Sequence, residues 1–102
     1  MTFTVRFASE AADQLQSLYR YVAEASSPQV AADYVEAIVA HCEGLAIFPH
    51  RGTMRDDLRP GLRTTVYKKR VVIAIVVDDA AERVDVLGIF AGGQDYEAVF
   101  SD

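Results

Sequence analysis

The 102-residue chain has one cysteine, Cys42, and no tryptophan. A single thiol closes no internal disulfide and builds no structural zinc site by itself, which fits a reducing compartment. Long apolar runs are missing too. The longest, Val71 to Val77, has seven residues, far short of the ~20 that a membrane-spanning helix needs. Met1 to Phe7 alternates polar and apolar residues instead of joining a basic start to an apolar stretch. No signal peptide is expected, and the expected compartment is the cytoplasm. Disorder is excluded by 51% hydrophobic against 25% charged residues, an apolar content that offsets ordering entropy. At this length one two-layer core is expected, hence a single domain over 1–102.

What charge there is divides by position. Between Met1 and His50 there are two basic and six acidic residues, whereas between Arg51 and Arg70 there are seven basic and two acidic. After Arg83 there is no Lys or Arg. A basic segment on a chain of net charge −5 attracts an acidic partner locally even while the whole molecule repels one. The same pattern also describes a solvated loop and strand surface.

Thr2 to Phe7 places Phe3, Val5 and Phe7 on one face and predicts a short half-buried strand. Ser9 stands at the expected N-cap of a first helix, with Glu10 and Asp13 complementing its dipole. Ala11, Leu15, Leu18 and Val22 follow at helical spacing and predict an amphipathic helix from about Glu10 to Glu24. Ser27-Pro28 predicts a second cap with proline at the first helical position. The stripe Ala31, Val35, Ile38, Cys42 and Leu45 carries that helix to a stop at Pro49 and Gly52. A connection this short makes the two helices an antiparallel hairpin.

After a polar, Arg-rich connection the period changes. Leu62 to Tyr67, a tight turn at Lys68-Lys69, the all-apolar Val71 to Val77, a turn over Asp78 to Glu82, and Val84 to Phe90 predict three sequential strands. Val84, Val86 and Phe90 are expected on one face of the last strand, with Asp85, Leu87 and Ile89 on the other. Gly92-Gly93 ends it. The expected fold is α+β: an N-terminal strand, a helical hairpin packed on an antiparallel β-meander (β-α-α-β-β-β), and a short C-terminal tail or helix. The place of the first strand in the sheet stays open.

Metal and covalent chemistry find little to use. His41 and Cys42 diverge by about 100° on a helix, and the positions three or four away (Ala37, Ile38, Val39, Gly44, Leu45, Ala46) carry no ligand. No metal, cofactor or catalytic residue is assigned. Cys42 is expected in the core, and His41 or His50 at the surface. Cys42, on an apolar stripe, is a poor thiolate, and no Ser sits in a Gly-x-Ser-x-Gly turn. Tyr19, Tyr21 and Tyr34 read as core or rim packing.

Phe7-Ala8 precedes the first helix and Ala11 and Leu15 lie within it, followed by Leu45, Phe48-Pro49 and Arg51-Gly52 at the end of the second. Gly61-Leu62-Arg63 opens the meander, and Phe90, Gly92-Gly93 and Asp95-Tyr96-Glu97 close it. In order and spacing, over nearly the whole chain, these resemble the ParE/RelE superfamily of toxins from type II toxin-antitoxin modules, with a tail more like ParE than RelE. The resemblance implies a bacterial, cytoplasmic protein held inactive by a ParD-like antitoxin that lays a helix and an extended segment across it. It implies one of two targets as well. RelE-like members cleave messenger RNA in the ribosome, whereas ParE-like members act on DNA gyrase without being nucleases.

Cleaving RNA through its 2′-hydroxyl needs a proton acceptor, a proton donor and cations at the phosphate. Val84 to Phe90 presents Asp85 and no Lys, Arg or His, and the tail is acidic. Where many ParE-like chains carry arginine, this one holds Gly88 and Gln94, and a usual histidine position holds Ala91. The expectation is a ParE-like, non-enzymatic inhibitor of gyrase, with no sequence-specific DNA binding and no membrane role. Arg63, Lys68, Lys69 and Arg70 are the expected target contacts, and Leu18, Val22, Arg55, Arg59 and Tyr67 the expected antitoxin contacts. The same cations also read as charges that guard a sheet edge. The alternatives are a RelE-like ribosome-dependent endoribonuclease with its basic site around Arg63 and Lys68 to Arg70, and a non-toxic antitoxin-binding module.

Overall fold

A strand with no polar face has to be covered on both sides, and Val71–Asp78 (β4) is the middle strand of a five-stranded sheet. The computed structural model, which describes residues 2–100, orders the strands β1-β5-β4-β3-β2. Here β1 is Thr4–Phe7, β2 Thr53–Met54, β3 Leu62–Tyr67 and β5 Arg83–Ala91. Met1, Ser101 and Asp102, the ends of the expected domain, lie outside the described residues. Strands β3, β4 and β5 form the expected antiparallel meander. Strand β1 runs parallel beside β5, where Phe3, Val5 and Phe7 pack against the core.

The Arg-rich connection is not wholly a loop. Its Thr53 and Met54 pair with Thr64 and Arg63 as the edge strand β2. Gly52 makes that approach possible, because a Cβ there would stand 2.4 Å from the Thr64 carbonyl oxygen.

The helices α1 (Ser9–Ala25) and α2 (Pro28–Glu43) form the hairpin. Ser9 is not the cap of α1. The extended Ala8 takes that position, tied to β5 by its N–H on the Val86 carbonyl (2.9 Å), and Ser9 Oγ instead donates to Glu10 Oε1 (3.2 Å). Ser27 caps α2 as expected, its Oγ accepting from the Val30 N–H (3.1 Å). That helix stops at Glu43, short of Pro49, and tightens into a 3₁₀ turn over Gly44–Ala46. The N–H groups of Ile47 and Phe48 both reach the Gly44 carbonyl (3.2 and 3.3 Å). Leu45 stays fully buried while Ile47 and Phe48 turn outward.

The sheet has two apolar faces. Ala11, Ile38, Cys42 and Leu45 meet Val71, Ile73, Ile75, Val84, Val86 and Ile89 on the helical side. Leu62, Ala74 and Phe90 form a smaller cluster on the other, covered by Leu58 and by Tyr96 and Phe100 of a short helix, α3 (Tyr96–Phe100). A β-bulge divides β5: Ala74 pairs with Gly88 and Ile75 with Val86, leaving Leu87 without an opposite residue. One extra residue reverses the alternation beyond it. Hence Ile89, not Phe90, joins Val84 and Val86 on the helical side, and Phe90 faces α3. The Ile89 N–H freed there is taken by Gln14 Oε1 of α1 at 2.6 Å.

The Phe90 ring covers Gly88, where an added Cβ would come within 2.6 Å of it. Gly88→Ala should therefore force the ring aside and cost about 1–3 kcal/mol, read as a lowered urea midpoint with an unchanged denaturant slope.

Candidate functional site

Between the helical hairpin and the end of β5 the sheet is left partly uncovered, forming an open, mainly apolar groove of ≈ 1050 Å³. Leu18 and Val22 of α1 and Val30 and Tyr34 of α2 line one side, and Ile89, Ala91 and Gly92-Gly93 the other. Lys69 and Arg70 project from the β3–β4 turn into the same groove. Two sets of residues assigned to different partners thus meet: Leu18 and Val22 from the antitoxin set, Lys69 and Arg70 from the target set. Tyr34 packs on the core as expected, but Tyr21, 71% exposed, stands open at the groove.

The turn that carries the cations is under strain. Lys68 and Lys69 both have positive φ (50° and 60°), and the Arg70 N–H returns to the Tyr67 carbonyl (3.1 Å). This is a primed turn, which Asn-Gly occupies readily and lysine does not. Tyr67 packs inward with its ring 5.2 Å from that of His41, and Lys68 Nζ lies 5.6 Å above the Tyr67 ring. Lys69 and Arg70 make no ion pair among the described residues. Arg63 is elsewhere. It sits near the other end of β3, ~16 Å from Lys68 at strand spacing, and its Nη1 donates to the His50 carbonyl (3.0 Å). The four expected target contacts are therefore not one patch.

Arg55 and Arg59 belong to the second face of the sheet. The Arg55 guanidinium donates to Asp57 (2.9 and 3.0 Å), Glu97 (2.8 Å) and the Tyr96 hydroxyl (2.8 Å). Its hydrogen bonds to Asp57 and then Glu97 hold its pKa above the ordinary value, and the same Arg55 bond holds that of Asp57 below. Arg59 lies over the Phe100 ring at 5.5 Å. Both arginines face α3, an arrangement their sequence neighbours do not signal. The last strand also differs from expectation, since β5 begins at Arg83 and so includes a cation. That guanidinium is bound by Asp85 (3.1 Å), with Asp78 at 3.6 Å.

His50 is at the surface, whereas His41 is half-buried: its Nε2 is buried with no hydrogen-bond partner among the described residues, and burial and then Arg51 lower its pKa. Cys42 is fully buried, its thiol pushed up to about 12 by burial and then Glu43, which leaves it inert as expected. Among the described residues no cluster of three His, Cys, Asp or Glu could hold a metal ion. No helix among them is long and apolar enough to cross a membrane.

Solved structures share this β-αα-βββ core and its mixed sheet. A chain of the chromosomal ParDE toxin-antitoxin system from P. aeruginosa superposes with a TM-score of 0.76 at 21% identity, covering 88% of this chain and 96% of that one. A chain of the toxin-antitoxin complex RelBE2 from Mycobacterium tuberculosis gives 0.67 at 23% identity, with 92% and 95% covered. A mutant of the E. coli toxin RelE in the free state gives 0.68 at 12% identity, with 99% and 95% covered. Comparison with curated protein sequences finds no match. The model of the ParE toxin family, from the type II toxin-antitoxin system parDE, matches residues 5–96, and the chain belongs to that family.

Arg55→Met should leave α1 and α2 intact and raise amide exchange across Tyr96–Phe100, because α3 loses the cation that orients it. Hydrogen-exchange mass spectrometry reads the difference. The fold disfavours the protonated form of His41, so its contribution to stability is complete above the unfolded value near pH 6.5 and is lost as pH falls toward the lower folded value. Replacing His41 with Leu should flatten the loss of stability as pH falls below about 6.5, measured as urea midpoints.

Proposed function

We propose that this ParE-family toxin inhibits DNA gyrase without nuclease chemistry, in the bacterial cytoplasm, and is silenced by a ParD-like antitoxin whose segment lies in the hairpin groove. The observation that carries the reading is the shared lining of that groove. Leu18 and Val22 offer apolar anchors to an antitoxin segment, and the segment covers Lys69 and Arg70 as it binds. Silencing is then occlusion of target-binding cations. Tyr67, Arg55 and Arg59 extend the antitoxin's footprint around the β3 edge to the second face. The relatives solved as ParDE and RelBE2 toxin-antitoxin systems support a protein antitoxin. A non-enzymatic action is supported by β5, whose Arg83 is engaged by Asp85 and Asp78. Arg63, held on a backbone carbonyl, is a secondary target contact.

The strained lysines separate function from stability. Lys68→Asn with Lys69→Gly suits the positive φ of the turn and should raise stability by roughly 1 kcal/mol or more. The same change removes two charges. It should weaken both growth arrest and inhibition of supercoiling by purified gyrase. A variant that arrests growth as the parent does, or a parent that cuts messages in translating ribosomes and leaves gyrase untouched, overturns the reading.

A further inference from the structure

The motif residues Phe48 and Arg51 take no part in the groove. Ile47 and Phe48 are 64% and 60% exposed, held outward by the 3₁₀ turn. Single exposed apolar residues are ordinary, but two large neighbours in sequence, sharing one shallow concavity with His50 and Arg51, make a patch. The patch is also pinned from several sides. The Arg51 guanidinium lies 5.4 Å over the Phe48 ring, His50 Nε2 meets Asp79 Oδ1 at 2.7 Å, and Arg63 grips the His50 carbonyl. Surface side chains fixed in this way lose little freedom when a partner arrives. Aromatic and arginine side chains together are the composition of binding hot spots.

We infer that Ile47, Phe48 and Arg51, with Arg63 joined to them through the His50 carbonyl, are a second docking surface, used by the toxin's folded protein target. Shape and charge select this occupant. The surface is shallower and more open than the groove, so it suits the face of a folded partner better than an enclosed single segment. Arg51 and Arg63 have no carboxylate partner among the described residues. The receiving face therefore has an apolar centre with carboxylates at its rim. His50 places the patch at the Asp79 end of β4 and Arg70 places the groove at the Val71 end, ~23 Å apart at strand spacing. An antitoxin segment in the groove leaves Ile47, Phe48 and Arg51 uncovered. The inference rests on the chain being a toxin with a protein target, and not on that target being gyrase.

Phe48→Ser and Phe48→Trp test it in the full chain, each produced with and without a co-expressed cognate antitoxin. The serine variant should need about tenfold or more toxin to arrest growth, with its urea midpoint and its co-purification with the antitoxin unchanged. The tryptophan variant should retain arrest. Arrest by the serine variant at parental expression overturns the inference, as does a parallel loss of antitoxin binding, which would assign the patch to the antitoxin. A parent dimer that the serine variant splits overturns it in favour of self-association, and a parent that arrests no growth leaves the patch no target. If the parent leaves purified gyrase untouched while Phe48→Ser still weakens arrest, the gyrase reading fails and the docking surface stands.

Discussion

Burial of β4 on both faces is the constraint from which the other features follow. Val71, Ile73 and Ile75 need one cover, and Val72, Ala74 and Val76 need another. The hairpin supplies the first with Ile38, Cys42 and Leu45. The second has only a five-residue helix and the turn around Leu58. A helix that short has no stability of its own. It is held chiefly by the apolar contact of Tyr96 and Phe100 with Phe90, since a large side chain stabilises by ~1.5–3 kcal/mol when fully buried. The ion pairs of Arg55 face water, are screened, and act on orientation more than on strength.

The bulge in β5 links that packing to the groove. By inserting Leu87 it turns Ile89 toward the helices and Phe90 toward α3, so one strand serves both cores to its end. It also frees the Ile89 N–H, which Gln14 accepts from α1. That bond ties the helix to the strand where the groove begins, and Ala91 and Gly92-Gly93 continue its lining beyond the helix contact. The floor and one wall of the groove are thus set by the same irregularity.

Charge is sorted by the fold into cations that are engaged and cations that remain available. Arg55 and Arg83 face carboxylates, and Arg63 faces a backbone carbonyl. Lys69 and Arg70 face the groove without an ion pair among the described residues, and Arg51 lies over Phe48 at the other end of the sheet. The seven basic residues between Arg51 and Arg70 are therefore dispersed: Lys69 and Arg70 line the groove, Arg51 lies over Phe48, and Arg55 is clamped by Asp57 and Glu97.

Periodicity makes the main elements legible along the chain. Ala31, Ile38, Cys42 and Leu45 at helical spacing are buried in the order expected, Ser27-Pro28 caps α2, and the unbroken apolar run of β4 marks a strand covered on both faces or flanked on both edges, and β4 is both. Those signals are local, because the 3.6-residue and two-residue repeats recur between near neighbours. The parallel docking of β1, the pairing of Thr53-Met54, the reversal after Leu87 and the reach of Arg55 to Glu97 are not local. Each depends on backbone groups or charges brought together from distant positions. The sequence by itself thus determined the elements, the double-faced strand and the basic segment. Tertiary structure alone decided which cations share a groove with Leu18 and Val22, because that depends on strand register and on where the hairpin stops covering the sheet.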